Sequence, residues 1–251
     1  MRAIRGLKEF AGLLEEQGEL QRVPTPVDPR YEIAALLSEM GKREAPALLF
    51  EKVVGCPTAL IGNLLGTRKR LALALGISES DLRRGHLPNL ERMVQPVPIQ
   101  GDVPQRTLLG AGDKLDLLEV LPVLTHYVSD TGPYITAGIT SARDPRDGTL
   151  GRGLHRMGIR GKRELGISLL NPPLSEIYAV HREQGTRMEV ATAIGVDPIV
   201  LFATVLKVPR GTDKMAVAGG LTGEAIRTEH ADTVDLEVPA WAEIIIEGVI
   251  D

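Results

Sequence analysis

The chain has 251 residues, 43% hydrophobic and 25% charged, which is enough to bury a sizeable core and excludes a disordered or collagen-like chain. A formal net charge of -4 gives no globally basic surface for nucleic acid or an acidic membrane, and 3% aromatic content gives no stacking platform for single strands. One cysteine, Cys56, allows neither an internal disulfide nor a zinc cluster; with no apolar run of membrane-spanning length and no apolar signal core at the start, a cytoplasmic protein is expected.

Leu7, Phe10, Ala11, Leu13, Leu14 and Leu20 recur at roughly helical spacing, with Lys8, Glu9, Glu15 and Glu16 between them. This predicts a first helix, interrupted near its end by Gly18 and closed off by Pro24. Asp28-Pro29-Arg30-Tyr31-Glu32 reads as a helix start, with Asp28 as cap, Pro29 at the first helical position and Glu32 in the first turn. Residues 47–50 predict a buried strand, and residues 53–55 and 59–63 a strand, a turn and a strand. Residues 68–75 predict a helix that Gly76 terminates. Pro88, Pro96, Pro98 and Pro104 then mark an extended linker, which divides the chain into an N-terminal domain of residues 1–105 and a second domain of residues 106–251.

The second half is strand-rich. Residues 134–140 and 150–159, joined by the turn Asp144-Pro145-Arg146-Asp147-Gly148, read as a hairpin. Residues 160–163 read as a further turn, 165–170 as a strand and 174–184 as a helix. Residues 191–195 and 200–203 are apolar segments, the latter read as a strand before a basic loop. Residues 224–228 and 242–248 are expected as a last pair of strands. The fold class is α+β, with an α/β first domain and a barrel-like β second domain.

His126, Asp130 and His155 are candidates for acid–base or metal chemistry, but without a His-x-x-x-His pair the favoured reading is turn and surface roles. Gly151-Arg152-Gly153-Leu154-His155-Arg156 suits an anion through backbone N–H groups and arginine forks, or a solvated hairpin. The basic stretch of residues 205–214 suits an anionic cofactor or an exposed turn. No Gly-x-Ser-x-Gly elbow supports a serine hydrolase, and Cys56 before Pro57 reads as a small turn or buried residue rather than a nucleophile.

Several motifs in order give the chain a family resemblance. Leu7-Lys8-Glu9-Phe10 with Gly18-Glu19-Leu20, Pro46 to Glu51 with Asn63-Leu64 and Arg70, the stretch Asp130 to Gly138 with Arg143-Asp144-Pro145, and Asp235 to Ala240 with Glu247-Gly248 resemble the UbiD family of prenylated-flavin-dependent decarboxylases. The resemblance implies an α/β N-terminal domain followed by a split β-barrel that holds prenylated FMN or FMN. It implies reversible decarboxylation of an aromatic or α,β-unsaturated acid. Arg156 matches the family's catalytic arginine, and Gly153, Leu154 and His155 would run along the flavin. Gly151, Pro173, Leu174, Thr204, Val205, Leu206 and Lys214 would complete its surroundings.

The family's metal-ligating asparagine, histidine and glutamate match Gly151, Leu174 and Lys214, so no metal ligand carries over; His181 lies nearby in sequence. Either Lys214 replaces the metal against the flavin phosphate, or the site is degenerate. The family's acidic pair and C-terminal domain would follow Glu247-Gly248, and the sequence stops at Asp251, so both are expected to be absent from this chain. The leading expectation is a decarboxylase that takes a small carboxylic acid, working as a homo-oligomer or with a completing subunit. The alternatives are a catalytically silent binding or assembly subunit and an ordinary flavin-binding protein.

Overall fold

The computed structural model describes residues 4–85, 87, 91–100 and 107–251. Pro88, Pro104 and the expected domain boundary at 105/106 lie outside the described residues. The first half runs α1 (Gly6–Glu16), β1 (Leu20–Val23), α2 (Glu32–Lys42), β2 (Ala47–Phe50), β3 (Leu60–Gly62), α3 (Arg68–Leu75), α4 (Glu79–Arg83) and β4 (Val97–Pro98). The second half continues with α5 (Leu117–Val120), β5 (Tyr134–Ile135), β6 (Ile139–Arg143), β7 (Leu150–Leu154), β8 (Met157–Ile159), β9 (Leu165–Ile167) and α6 (Leu174–Gln184). It ends with β10 (Met188–Ile194), α7 (Pro198–Val205), α8 (Lys214–Thr222), β11 (Arg227–His230), β12 (Glu237–Pro239) and β13 (Ile244–Ile250). Among the described residues, no helix is long and apolar enough to cross a membrane.

The expected mixture of helices and small sheets is present, though the strands do not close into a barrel among the described residues. β2 lies between a parallel β1 and an antiparallel β3. The other sheets have the orders β13-β10-β6-β7, β12-β11-β4 and β5-β8-β9. Phe10, Leu14, Ala47 and Leu75 from the first half share one apolar cluster with Ile139, Val200, Val217 and Leu221 from the second. Arg70, fully buried on α3, bonds the Glu19 carboxylate at 3.1 Å and the backbone carbonyls of Ala45 and Asn63, so its charge is compensated where water is excluded.

The structure corrects several expected elements. α1 ends at Glu16, and Leu20 belongs to β1. α2 starts at Glu32 rather than Pro29, because Asp28 and Arg30 close a turn of their own: the Arg30 N–H donates to the Asp28 carboxylate, and the Asp28 N–H to that of Glu32. Val53 makes isolated bridges to Val27 and Cys56 instead of a strand. Residues 200–203 are helical, since Asp197 caps Ile199 N–H and Pro198 sits in the first turn. The expected final pair is not a pair: β11 bonds β12 and β4, while β13 runs along β10 for seven residues.

Candidate active site

The expected hairpin is bent across two sheets. Its outer part pairs β6 with β7, from Ile139 opposite Leu154 to Arg143 opposite Leu150. Its inner part pairs β5 with β8, placing Tyr134 opposite Gly158 and Ile135 opposite Met157. Residues 150–159 are thus two strands, broken at His155 and Arg156, as at other corners where a strand changes sheet. The break has a local cause. The buried His155 ring turns inward, and its Nδ1 lies 2.8 Å from the Ser168 carbonyl. Gly153 makes room for that ring, because a Cβ there would sit 2.7 Å from His155 Nε2. The Ser168 N–H donates to the Arg156 carbonyl at 3.1 Å, pinning the backbone behind an exposed Arg156 side chain.

Arg156 lines a cleft of about 570 Å3 with His126, Tyr127, Asp130, Tyr134, Thr136, Arg160, Gly166, Ile167 and Ser168. Asp130 holds one lip, its carboxylate accepting the His126 and Tyr127 N–H groups at 3.2 and 2.9 Å. Arg160 bonds the Thr131 hydroxyl, next in the chain to Asp130, and the Tyr134 phenol, both at 3.2 Å, and lies over the Tyr134 ring. The Thr131 hydroxyl, and then the Arg160 guanidinium, hold the Tyr134 phenol below its usual pKa. Neither Arg156 nor Arg160 has an ion-pair partner among the described residues. Two cations facing one cleft form a site for an anion, and the free guanidinium fork of Arg156 suits a carboxylate.

Of the residues expected around the flavin, Arg156 is the one that lines this cleft, together with His126 and Asp130, which the sequence offered as acid–base candidates. Gly151 is buried against α6: a Cβ there would overlap Ile177 Cδ1 and stand 3.1 Å from Pro173 Cγ. Leu174, the first residue of α6, is fully buried. Thr204 is buried, and its hydroxyl donates to the Leu201 carbonyl. Lys214 begins α8; its ammonium donates to the Leu206 carbonyl, and burial lowers its pKa. His181, on α6, bonds Thr186. Beside Lys214, the buried Arg152 reaches Asp213 at 2.6 Å and the Glu237 carbonyl at 3.3 Å, which leaves its Nε without a partner among the described residues. Sequence reasoning did not single out Tyr134, Thr136 or Arg160 as site residues. Tyr134 and Thr136 lay inside the strongest motif, whereas Arg160 read as part of a turn.

The flavin and the metal fare differently against these residues. The cleft lies within the usual size range of ligand pockets, roughly 300–1,000 Å3. Leu154 and Val205, two of the expected flavin neighbours, are apolar side chains left 38% and 57% exposed, as contact with a planar ring requires. Both leave apolar surface open to a flavin ring, but neither lines the cleft around Arg156. A divalent metal does not fit: Gly151, Leu174 and Lys214 offer no ligand for one, and among the described residues no group of three His, Cys, Asp or Glu could hold one.

Comparison with known proteins gives the same direction. Residues 11–85 match the 3-octaprenyl-4-hydroxybenzoate carboxy-lyase N-terminal domain, and residues 98–251 match the Rift-related domain of the same carboxy-lyases, UbiD. The chain superposes on an evolved dimeric form of the UbiD-class enzyme HmfF from Pelotomaculum thermopropionicum in complex with prFMN, with 34% identity and a TM-score of 0.87, covering 98% of this chain and 57% of that one. It also superposes on apo 3,4-dihydroxybenzoic acid decarboxylase (AroY) from Klebsiella pneumoniae, with 26% identity and a TM-score of 0.87, covering 98% of this chain and 54% of that one. The vanillic acid decarboxylase ShVdcCD from Sedimentibacter hydroxybenzoicus shares the fold at 24% identity and a TM-score of 0.84, covering 99% of this chain and 55% of that one. The chain therefore spans little more than half the length of these structures. The match across residues 98–251 and these superpositions make the chain a member of the UbiD family, whose relatives are carboxy-lyases.

Proposed function

We propose that this chain carries the flavin and substrate-carboxylate site of a reversible, non-oxidative decarboxylase of aromatic or α,β-unsaturated acids. The observation that carries the reading is Arg156: it stands at the bend between β7 and β8, on the wall of a cleft of about 570 Å3, with no carboxylate partner among the described residues. A guanidinium left without its counter-anion and fixed from behind by its own backbone is prepared for a substrate carboxylate. Arg156 binds that carboxylate in a bidentate fork and sets the bond that will break. The Thr131–Tyr134–Arg160 cluster adds positive potential to the same cleft, and Asp130 keeps the 126–130 lip in shape. Prenylated FMN, when bound, supplies the sink for the electrons left as carbon dioxide departs.

In this reading Leu154, Pro173, Val205, Leu206 and Lys214 face the flavin, and the buried Gly151, Gly153, His155, Leu174 and Thr204 pack behind them. The sheets of the second domain, residues 106–251, act as a split barrel behind the N-terminal domain. The reading is supported by the prFMN-bound and FMN-bound forms of HmfF among the similar structures. The test is protein produced together with a flavin prenyltransferase and offered a panel of cinnamic, benzoic and heteroaromatic acids. Carbon dioxide release from at least one acid is expected, and bound flavin without turnover of any acid would contradict it. The loss of the three metal positions favours a second reading, a silent UbiD-like binding or assembly subunit, which predicts that second outcome.

A further inference from the structure

We propose that this chain binds its flavin phosphate without a divalent metal, and that the Lys214 ammonium takes the place of the metal–carboxylate pair. The proposal rests on the flavin reading above. Two of the three positions where the family resemblance expects ligands, Gly151 and Leu174, meet at one junction, and Lys214 follows a loop tied to it. Gly151 on β7 packs against Pro173 and Ile177 at the start of α6. The loop before Lys214 is tied to β7 by Arg152–Asp213 at 2.6 Å and to α6 by Arg210–Glu176 at 3.4 Å.

The packing at this junction leaves no route back to a metal site. An asparagine at position 151 would need the volume that Ile177 and Pro173 fill. Leu174 is fully buried in apolar company with Ala142, Ile177 and Met188. The nearby carboxylates are spent: Asp213 on Arg152 and the Met215 N–H, Glu176 on Arg210, and Asp144 on Arg146. The Lys214 ammonium, by contrast, contacts a neutral carbonyl and has no ion pair among the described residues. A dication held by one glutamate presents one net positive charge to a phosphate, and a lone lysine presents the same. Lys214 also opens α8, where the Asp213 carboxylate already caps the Met215 N–H. The buried Arg152, paired with Asp213 just before Lys214 in the chain, keeps its Nε without a partner among the described residues.

Titrations of FMN and riboflavin into the full chain, followed by flavin fluorescence, test this without turnover. In EDTA, FMN is expected to bind about tenfold or more tighter than riboflavin. Added Mn2+ or Mg2+ should change FMN affinity by less than about twofold. Lys214→Gln should bring FMN down to riboflavin affinity while leaving riboflavin binding unchanged, and Lys214→Arg should keep most of the preference. Unchanged riboflavin binding shows that the variants are folded. FMN binding that needs the metal, or that ignores the Lys214→Gln change, would overturn the proposal. If neither flavin binds with or without metal, the flavin reading itself falls and takes this inference with it.

Discussion

The Arg152 guanidinium and the Asp213 carboxylate lie 2.6 Å apart, joining the middle of β7 to the cap of α8 with the arginine side chain fully buried. Breaking such a pair from one side leaves a buried charge. Asp213→Ala should therefore cost roughly 3–5 kcal/mol of unfolding free energy, including about 1 kcal/mol for the lost cap. Urea denaturation checks this, and Arg152→Met combined with Asp213→Ala should recover much of the loss. A cost below about 1 kcal/mol for Asp213→Ala would mean that the pair does not hold the two elements together.

Gly151 is a packing position in this chain. Gly151→Asn should destabilise the protein by about 1–3 kcal/mol, because its Cβ overlaps Ile177 Cδ1 and crowds the rigid Pro173 ring. Trimming the obstacle with Ile177→Ala in the same chain should lessen the penalty of the asparagine. Thermal unfolding of the four proteins measures the coupling.

Asp197 gives a pH signature unrelated to the cleft. Its carboxylate accepts the Ile199 N–H at 2.7 Å at the start of α7, and burial pushes its pKa up to about 6, above the ordinary aspartate value of 3.8. Between these two values the folded protein holds a proton that the unfolded chain has lost, so stability falls as pH rises through that window. The contribution is on the order of 2–3 kcal/mol, complete above about pH 6. Asp197→Asn keeps an acceptor for the cap and should flatten stability between pH 4 and pH 6. Urea midpoints at several pH values would show it, and an unchanged slope would contradict it.

Arg156→Ala should lower kcat/KM for decarboxylation by about 100-fold or more, equivalent to roughly 3 kcal/mol of lost transition-state stabilisation. Arg156→Lys should restore little, because a point charge cannot reproduce the two parallel hydrogen bonds of the fork. Steady-state rates with a turned-over acid decide this, and full activity in the lysine variant would argue against bidentate holding.

Local signals made much of the fold readable. The helix over residues 174–184 and the Gly76 stop follow from spacing and backbone preference alone. Residues 200–203 misled because a short, uniformly apolar run has no period, and the deciding signal was the Asp197-Pro198 start. The sheet change at His155–Arg156 was invisible because it depends on a ring reaching Ser168, and the β10–β13 pairing because its partners are far apart in the chain, from Ile194 with Ile244 to Met188 with Ile250. Arg156 was found through resemblance to a motif. Tyr134 and Arg160 join it in the cleft only because β5 and β8 pair, which no local pattern announces.

The central claim is that Arg156 holds a carboxylate beside a bound flavin. The most direct measurement is the absorbance spectrum of FMN bound to the protein, recorded while benzoate or cinnamate is added. A saturable shift in the wild type that disappears in Arg156→Ala, with FMN still bound, is the predicted result. The same shift in both proteins, or none in either, would contradict it.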